Sequence, residues 1–198
     1  MGKETLRHVI NAEGEELVKL ADRLDLDALQ DLTERIAACP GAVFFTGCGT
    51  SAQAARKITH TFQVIGQRAF FLDPADAVHG GLGAVHEGDI VIIISKGGTT
   101  KELLSFVPNL QEKRVTIVGV GDSADAPLGQ ASDVFVKVKV DREPDAFNML
   151  ATASTAAVVA TFDAVAINLM NESGFSKQAF LVNHPSGDVG TRLAEGRT

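Results

Sequence analysis

The 198-residue sequence has no tryptophan, no tyrosine and only two cysteines. Without the large amphipathic aromatics, aromatic cages and base-stacking platforms drop out as binding devices. Cys39 and Cys48 make no disulfide framework, and a reduced cytoplasm is the simplest setting. The opening stretch "MGKETLRHVINAEGEELVKL" is charged throughout and lacks the apolar core of a signal peptide. Positive charge is not in excess either. A formal net charge of −7 and a pI of about 5.2 argue against a nucleic-acid or anionic-membrane surface, while a local pocket for an anionic small molecule stays compatible. The five histidines have no spacing that commits to a metal site, and no cofactor is expected.

What is present is apolar content of 45%, enough for a full core in a single domain over 1–198, with a helical segment at 1–40 and an α/β core at 41–198. Leu6, Val9, Ile10, Leu17 and Leu20, then Leu26, Leu29, Leu32 and Ile36, recur at helical spacing, and "CPG" at Cys39–Gly41 ends the second helix. Five short stretches rich in β-branched or aromatic residues follow: Ala42–Gly47, Arg68–Asp73, Asp89–Ser95, Arg114–Val120 and Asp133–Val140. The first four lack polar alternation, as strands covered on both faces do. Helical patterns at Ser51–Ile65, Thr99–Glu112 and Ala126–Ala131 lie between them. This alternation predicts a mostly parallel, doubly wound sheet with right-handed crossovers. Met149–Met170 is apolar enough to raise a membrane span. Asp163, Asn168 and several hydroxyls inside it, with flanks that are not basic, favour a buried helix against the sheet or another subunit.

Two loops leave predicted strands and enter predicted helices with the same chemistry. They are "TGCGTSAQ" (Thr46–Gln53) and "SKGGTTKE" (Ser95–Glu102). Both combine small residues, which let a ligand approach the backbone, with hydroxyls at a helix start, where N–H groups and the dipole favour an anion. Capping boxes are expected at Thr50 with Gln53 and at Thr99 with Glu102. Lys96 adds a fixed positive charge. The combined expectation is a phosphate cradle of Thr50, Ser51, Ser95, Lys96, Gly97, Gly98, Thr99 and Thr100, at the switch point of the sheet. Taken singly, either loop is equally well an ordinary cap and turn. "GCGTSA" has Ala52 in the sixth place of G-x-G-x-x-G/A, and Asp73 closes "RAFFLD", so a dinucleotide oxidoreductase stays open. No G-x-x-x-x-G-K-[ST] occurs, which excludes a P-loop NTPase.

From about Ala42 to Leu193 these residues resemble the SIS (sugar isomerase) domain family. "CGTS" (Cys48–Ser51) is similar to the first phosphate loop of glucosamine-6-phosphate synthase, and "SKGGTT" to that of phosphoglucose isomerases. "DPADAVHGGLGAVHEGDIVIIIS" (Asp73–Ser95) and "NHPSGDVGTRL" (Asn183–Leu193) resemble the SIS portion of arabinose-5-phosphate isomerases. The paired CBS domains that follow it there have no counterpart in these 198 residues. The resemblance implies a five-stranded parallel sheet in a flavodoxin-like three-layer sandwich, and homodimers or homotetramers with sites near subunit contacts. Those isomerases use a lysine, two glutamates and a histidine. The lysine falls at Thr50 and one glutamate at Thr99, both lost; the other glutamate matches Glu143 and the histidine His184. The base of glucosamine-6-phosphate synthase matches Asp76, with His79 three positions on.

An aldose–ketose isomerisation needs one base to move a proton between adjacent carbons through an enediol, and an acid–base group to open the ring. Glu143 or Asp76, and His184 or His79, suit these roles if burial brings their pKa values toward neutrality. Each also has a plain reading, as a turn cap, a solvated loop charge or a structural histidine. Cys48 has no matched basic partner and reads as a packing residue. The expectation is a phosphosugar isomerase. The alternative is a non-catalytic sugar-phosphate sensor, which the lost lysine and glutamate favour.

Overall fold

The computed structural model describes residues 2–186. Helices α1 (Gly2–Arg23) and α2 (Leu26–Ala37) precede β1 (Val43–Gly47), α3 (Thr50–Val64) and β2 (Ala69–Phe71). Then come α4 (Pro74–Ala77), a 3-10 turn (Gly81–Ala84), β3 (Ile90–Ile94), α5 (Lys101–Leu104) and α6 (Val107–Glu112). The chain continues through β4 (Thr116–Gly121), α7 (Pro127–Gln130), β5 (Val134–Lys137), α8 (Ala153–Ser173) and α9 (Lys177–Asn183). All five strands are parallel, in the order β2-β1-β3-β4-β5.

Every residue of β1 and β3 is buried, because helices cover both faces of the sheet. Strand alternation sends Val43, Phe45, Ile90, Ile92 and Ile94 into one core, with Ile58 and Phe62 of α3 and Phe162 and Val165 of α8. Phe44, Val91 and Ile93 enter the other core with Leu103, Phe106 and Leu110. In the first core the Phe45 ring meets Phe62 and Phe162 edge-on, with centroids 5.0 and 5.8 Å away, a geometry that adds to simple burial. α8 is long and apolar enough to cross a membrane by length and composition. In this fold it packs against α1, α2 and α3. Lys57 of α3 pairs with its Asp163, and its Asn168 donates to Gln30 of α2 at 2.9 Å.

Several expected boundaries move. The predicted helix Thr99–Glu112 is two helices, broken at Ser105–Phe106; Pro108 sits in the first turn of the second, where its missing N–H costs nothing. The predicted strands Arg68–Asp73 and Asp133–Val140 shorten to three and four residues. Met149–Thr152, read as the start of the apolar helix, belongs to the connection before α8.

Phe162 is fully buried at the junction of β1, α3 and α8. Phe162→Ala is expected to cost about 3–5 kcal/mol, from lost transfer energy and the cavity left behind. Urea denaturation should show a lower midpoint with little change in slope. An unchanged midpoint would mean that α8 does not close this core.

Candidate functional site

The strand order reverses between β1 and β3. The chain leaves β1, crosses to β2 on one side, then returns to β3 on the other. A crevice therefore opens at the carboxyl ends of β1 and β3. Gly47 of β1 pairs with Ile94 of β3, so the loops that follow them, residues 48–49 and 95–100, stand side by side.

The second loop is wound tightly. Gly98 N–H donates to Ser95 O at 3.0 Å, and Leu128 N–H donates to Gly98 O at 3.0 Å. Gly98 has φ +64, and a Cβ there would lie 2.7 Å from Ala126 Cβ, so only glycine fits. The Ser95 and Thr100 hydroxyls are hydrogen-bonded at 2.9 Å. Neither expected capping box forms. Gly49 is the N-cap of α3 and Thr100 that of α5, and neither helix receives a side-chain cap. The glycine bend moves each helix start by one residue relative to the expected cap, and the Thr100 hydroxyl is spent on Ser95.

Lys96 reaches across to Glu143, Nζ donating to Oε1 at 2.7 Å. Ser154 Oγ also donates to Oε1, while the backbone N–H groups of Thr152 and Ser154 donate to Oε2 at 3.0 and 3.3 Å. The Glu143 side chain is 0% exposed and that of Lys96 43%. Burial pushes the Glu143 carboxyl up, but Lys96, Ser154 and the two amides outweigh it and hold the group below its ordinary value. The connection carrying Glu143 is itself pinned. Asn148 Oδ1 accepts Glu143 N–H at 2.6 Å, and Asp145 accepts the N–H groups of Phe147, Met149 and Leu150. Arg23 and Lys19 of α1 grip Asp141, two residues before Glu143, and hold its carboxyl down to about 2.

A cavity of about 40 Å³ lies over this network, between Ser51 and Ala54 of α3, Lys96, Val120 and Ser154. That is room for a few waters. It is the floor of the crevice and does not hold a whole sugar phosphate. A larger hollow of about 380 Å³ opens beside it, lined by Cys48, Gly49, Asp73 and Glu102.

The remaining sequence candidates lie elsewhere. Asp76 and His79 are exposed. Asp76 borders a groove at the β2 edge with Arg68 and His86, away from the Lys96–Glu143 pair. Asp73, not Asp76, caps α4 by accepting Ala75 N–H at 3.0 Å. His184 ends α9, its ring 6.0 Å from Phe180. The neighbouring Asn183 donates to Val64 O at the far end of α3. That helix has 15 residues, so about 22 Å separates its two ends. Within one chain His184 is thus remote from the glycine loops, and only a second copy's His184 could serve them. Residues 187–193 of the "NHPSGDVGTRL" segment lie outside the described residues.

Sequence reasoning missed Ser154, Thr152 and Asp122. Asp122 follows β4, and burial pushes its carboxyl up against the opposing pull of Lys96 and Lys139. Its place two residues after the predicted strand Arg114–Val120 was the available signal.

Residues 36–167 match the family model described as SIS domain. Arabinose 5-phosphate isomerase GutQ of Salmonella typhi is 33% identical over 187 residues, 94% of this chain and 58% of that relative. The chain thus spans less than two thirds of that curated relative's length. A solved Listeria monocytogenes structure, provisionally named a sugar-phosphate isomerase, is 43% identical with a TM-score of 0.90, covering 92% of this chain and 96% of that one. E. coli CFT073 c3406, solved in complex with arabinose 5-phosphate, is 31% identical with a TM-score of 0.88, covering 91% and 95%. The chain belongs to the SIS domain family, among relatives of the sugar-phosphate isomerases.

Proposed function

We propose that this protein interconverts an aldose phosphate and a ketose phosphate through an enediol, in the manner of an arabinose-5-phosphate isomerase. The observation that carries the reading is the pairing of two hydroxyl-rich glycine loops at the switch point with a lysine held over the adjacent cavity by a buried carboxylate. The GutQ relative and the c3406 complex support the substrate class.

In this reading the hydroxyls of Thr50, Ser51, Ser95, Thr99 and Thr100 and the backbone at Gly97 and Gly98 take the phosphate. Lys96 faces the carbonyl end, where its ammonium stabilises the oxyanion that develops as the enediolate forms. Glu143 is the counter-ion that aims Lys96. A carboxylate whose two oxygens already accept four donors has little capacity left to take a proton from carbon.

Incubation with pentose, hexose and heptose phosphates in heavy water tests the reading. The substrate should gain solvent deuterium at the carbon beside the carbonyl and yield its isomer. Binding of a sugar phosphate with neither exchange nor turnover would overturn the isomerase and leave a sensor. The Ser95→Ala/Thr100→Ala double variant should bind the sugar phosphate at least about tenfold more weakly, about 1.4 kcal/mol. Equal affinity would put the phosphate elsewhere.

The depressed Glu143 pKa has a stability consequence. A carboxylate held below its ordinary value stabilises the fold above that value and loses the contribution as pH falls through the folded one. Glu143→Gln should therefore lose most stability at neutral pH, on the order of 2 kcal/mol for the mismatched buried donors. The gap to the parent should narrow as pH falls below about 4.5, the ordinary glutamate value. A gap independent of pH between 3 and 7, read by denaturant titration, would show that the carboxylate charge is not what holds the site.

A further inference from the structure

The two sides of α1 meet different surroundings. On one side Leu20 enters the core, Glu16 accepts the Asp141 N–H, and Lys19 and Arg23 pair with the Asp141 carboxylate. Residues 6, 10, 14 and 18 lie four apart and so form one ridge along the helix. That ridge faces away from the core. Leu6, Ile10 and Val18 are 68, 70 and 68% exposed, and Gly14 is exposed between them. Among the described residues, none from 2 to 15 is buried. Single exposed apolar side chains are ordinary, but three in register over a stretch with no buried residue are not. Such a helix draws little support from its own domain, since helices persist in water mainly by covering an apolar face.

Gly14 is an independent sign. Glycine is the poorest helix former after proline, and this one sits near the middle of a 22-residue helix. Its φ is not positive, and a Cβ there would meet nothing within 4 Å. Among the described residues, then, neither the backbone nor the packing requires a glycine. A missing side chain within an exposed apolar ridge is what lets a second helix come close.

The charges indicate which helix that is. The N-terminal end of α1 carries Lys3, Arg7 and His8 with Glu4. Farther along, the charged groups not engaged with Asp141 are Glu13, Glu15 and Asp22. An antiparallel copy of α1 brings the basic end against the acidic one, whereas a parallel copy sets like charge on like.

We propose that the Leu6–Ile10–Gly14–Val18 ridge is a docking surface for the same ridge of a second copy of this chain, the two helices running antiparallel. A two-fold axis between Ile10 and Gly14 sets each Ile10 over the partner's Gly14, and each Leu6 against the partner's Val18. Ridges of this spacing interdigitate with their axes inclined by about 50°. The contact is isologous, one patch serving both partners. It leaves the bonds to Asp141 in place, because they lie on the other side of the helix. The proposal goes beyond the isomerase reading and stands or falls without it.

Sedimentation equilibrium at micromolar concentration, on the parent, Ile10→Glu and Gly14→Leu, tests this. The parent should show at least twice its chain mass of 20.8 kDa. Each variant should show half the parent's mass, or associate at least about thirtyfold more weakly, as loss of a hot-spot residue does. Their circular dichroism should match the parent's, since substitutions at exposed positions rarely disturb a fold. Gly14→Leu has a signature that a role within one chain would not produce. In the Ile10→Glu background it should raise the melting temperature, because leucine is the better helix former and has open space there. In the parent background the same change should break the association. A monomeric parent would overturn the proposal. So would a folded Ile10→Glu or Gly14→Leu variant that keeps the parent's mass and affinity, which would put the contact elsewhere. Mass lost only together with the helical signal would also overturn it, marking residues that the fold itself needs.

Discussion

The Glu143 carboxylate is the constraint on which the site depends. A charge removed entirely from water is tolerated only when partners replace its hydration. Lys96, Ser154 and two amides at the start of α8 do so here. Because these donors come from the β3 loop and from the first turn of α8, satisfying one carboxylate fixes two elements that are far apart in sequence. The constraint spreads outward. Lys96 O accepts Asp122 N–H and so ties in the end of β4, and the ion pairs of Asp141 bring α1 to the same connection. Removing one partner would leave the others buried against nothing, which is why the arrangement behaves as a unit.

The two faces of the sheet divide the work. On the α3–α8 face the floor of the crevice is small and carries the charged groups, whereas the hollow on the α4–α5 side is roomier. A charge pair in a confined, partly dry space acts in a lower dielectric than one in open solvent, so in the proposed reading its field would be felt more strongly by a substrate carbonyl. The hydroxyl loops sit between the two, on adjacent strand ends.

Much of the architecture was legible because burial leaves a simple mark. Strands covered on both faces read as unbroken apolar runs, and Ile90–Ile94 shows this most plainly. Less legible were features set by a single backbone angle or a distant partner. The positive φ at Gly98 moves the start of α5 off Thr99, and no local pattern announces that. Residue type identified the hydroxyl loops. The surroundings of Glu143 depend on donors at residues 96, 152 and 154, which sequence proximity does not reveal. Asp122 was passed over because "VGDSAD" reads as turn chemistry, in which aspartate is commonplace. His184 shows the converse: a motif match pointed to the site, and the fold of one chain puts the residue at the other end of α3.

The proposed reading also accommodates the lysine that the resemblance expects and this sequence lacks at Thr50. The resemblance expects that cation at Thr50, at the start of α3, whereas here Lys96 stands in the loop after the neighbouring strand. Adjacent strands lie about 4.8 Å apart, so moving a lysine from one loop to the next displaces its backbone anchor by roughly one strand spacing. A flexible four-carbon stem can absorb that displacement. What it cannot supply unaided is direction, since a long side chain in solvent samples many rotamers. The buried Glu143 supplies it, drawing the ammonium to one oxygen over the cavity. In the proposed reading, aim is therefore a property of the carboxylate and charge a property of the lysine, so the lysine can be carried by either loop as long as the carboxylate stays where it is.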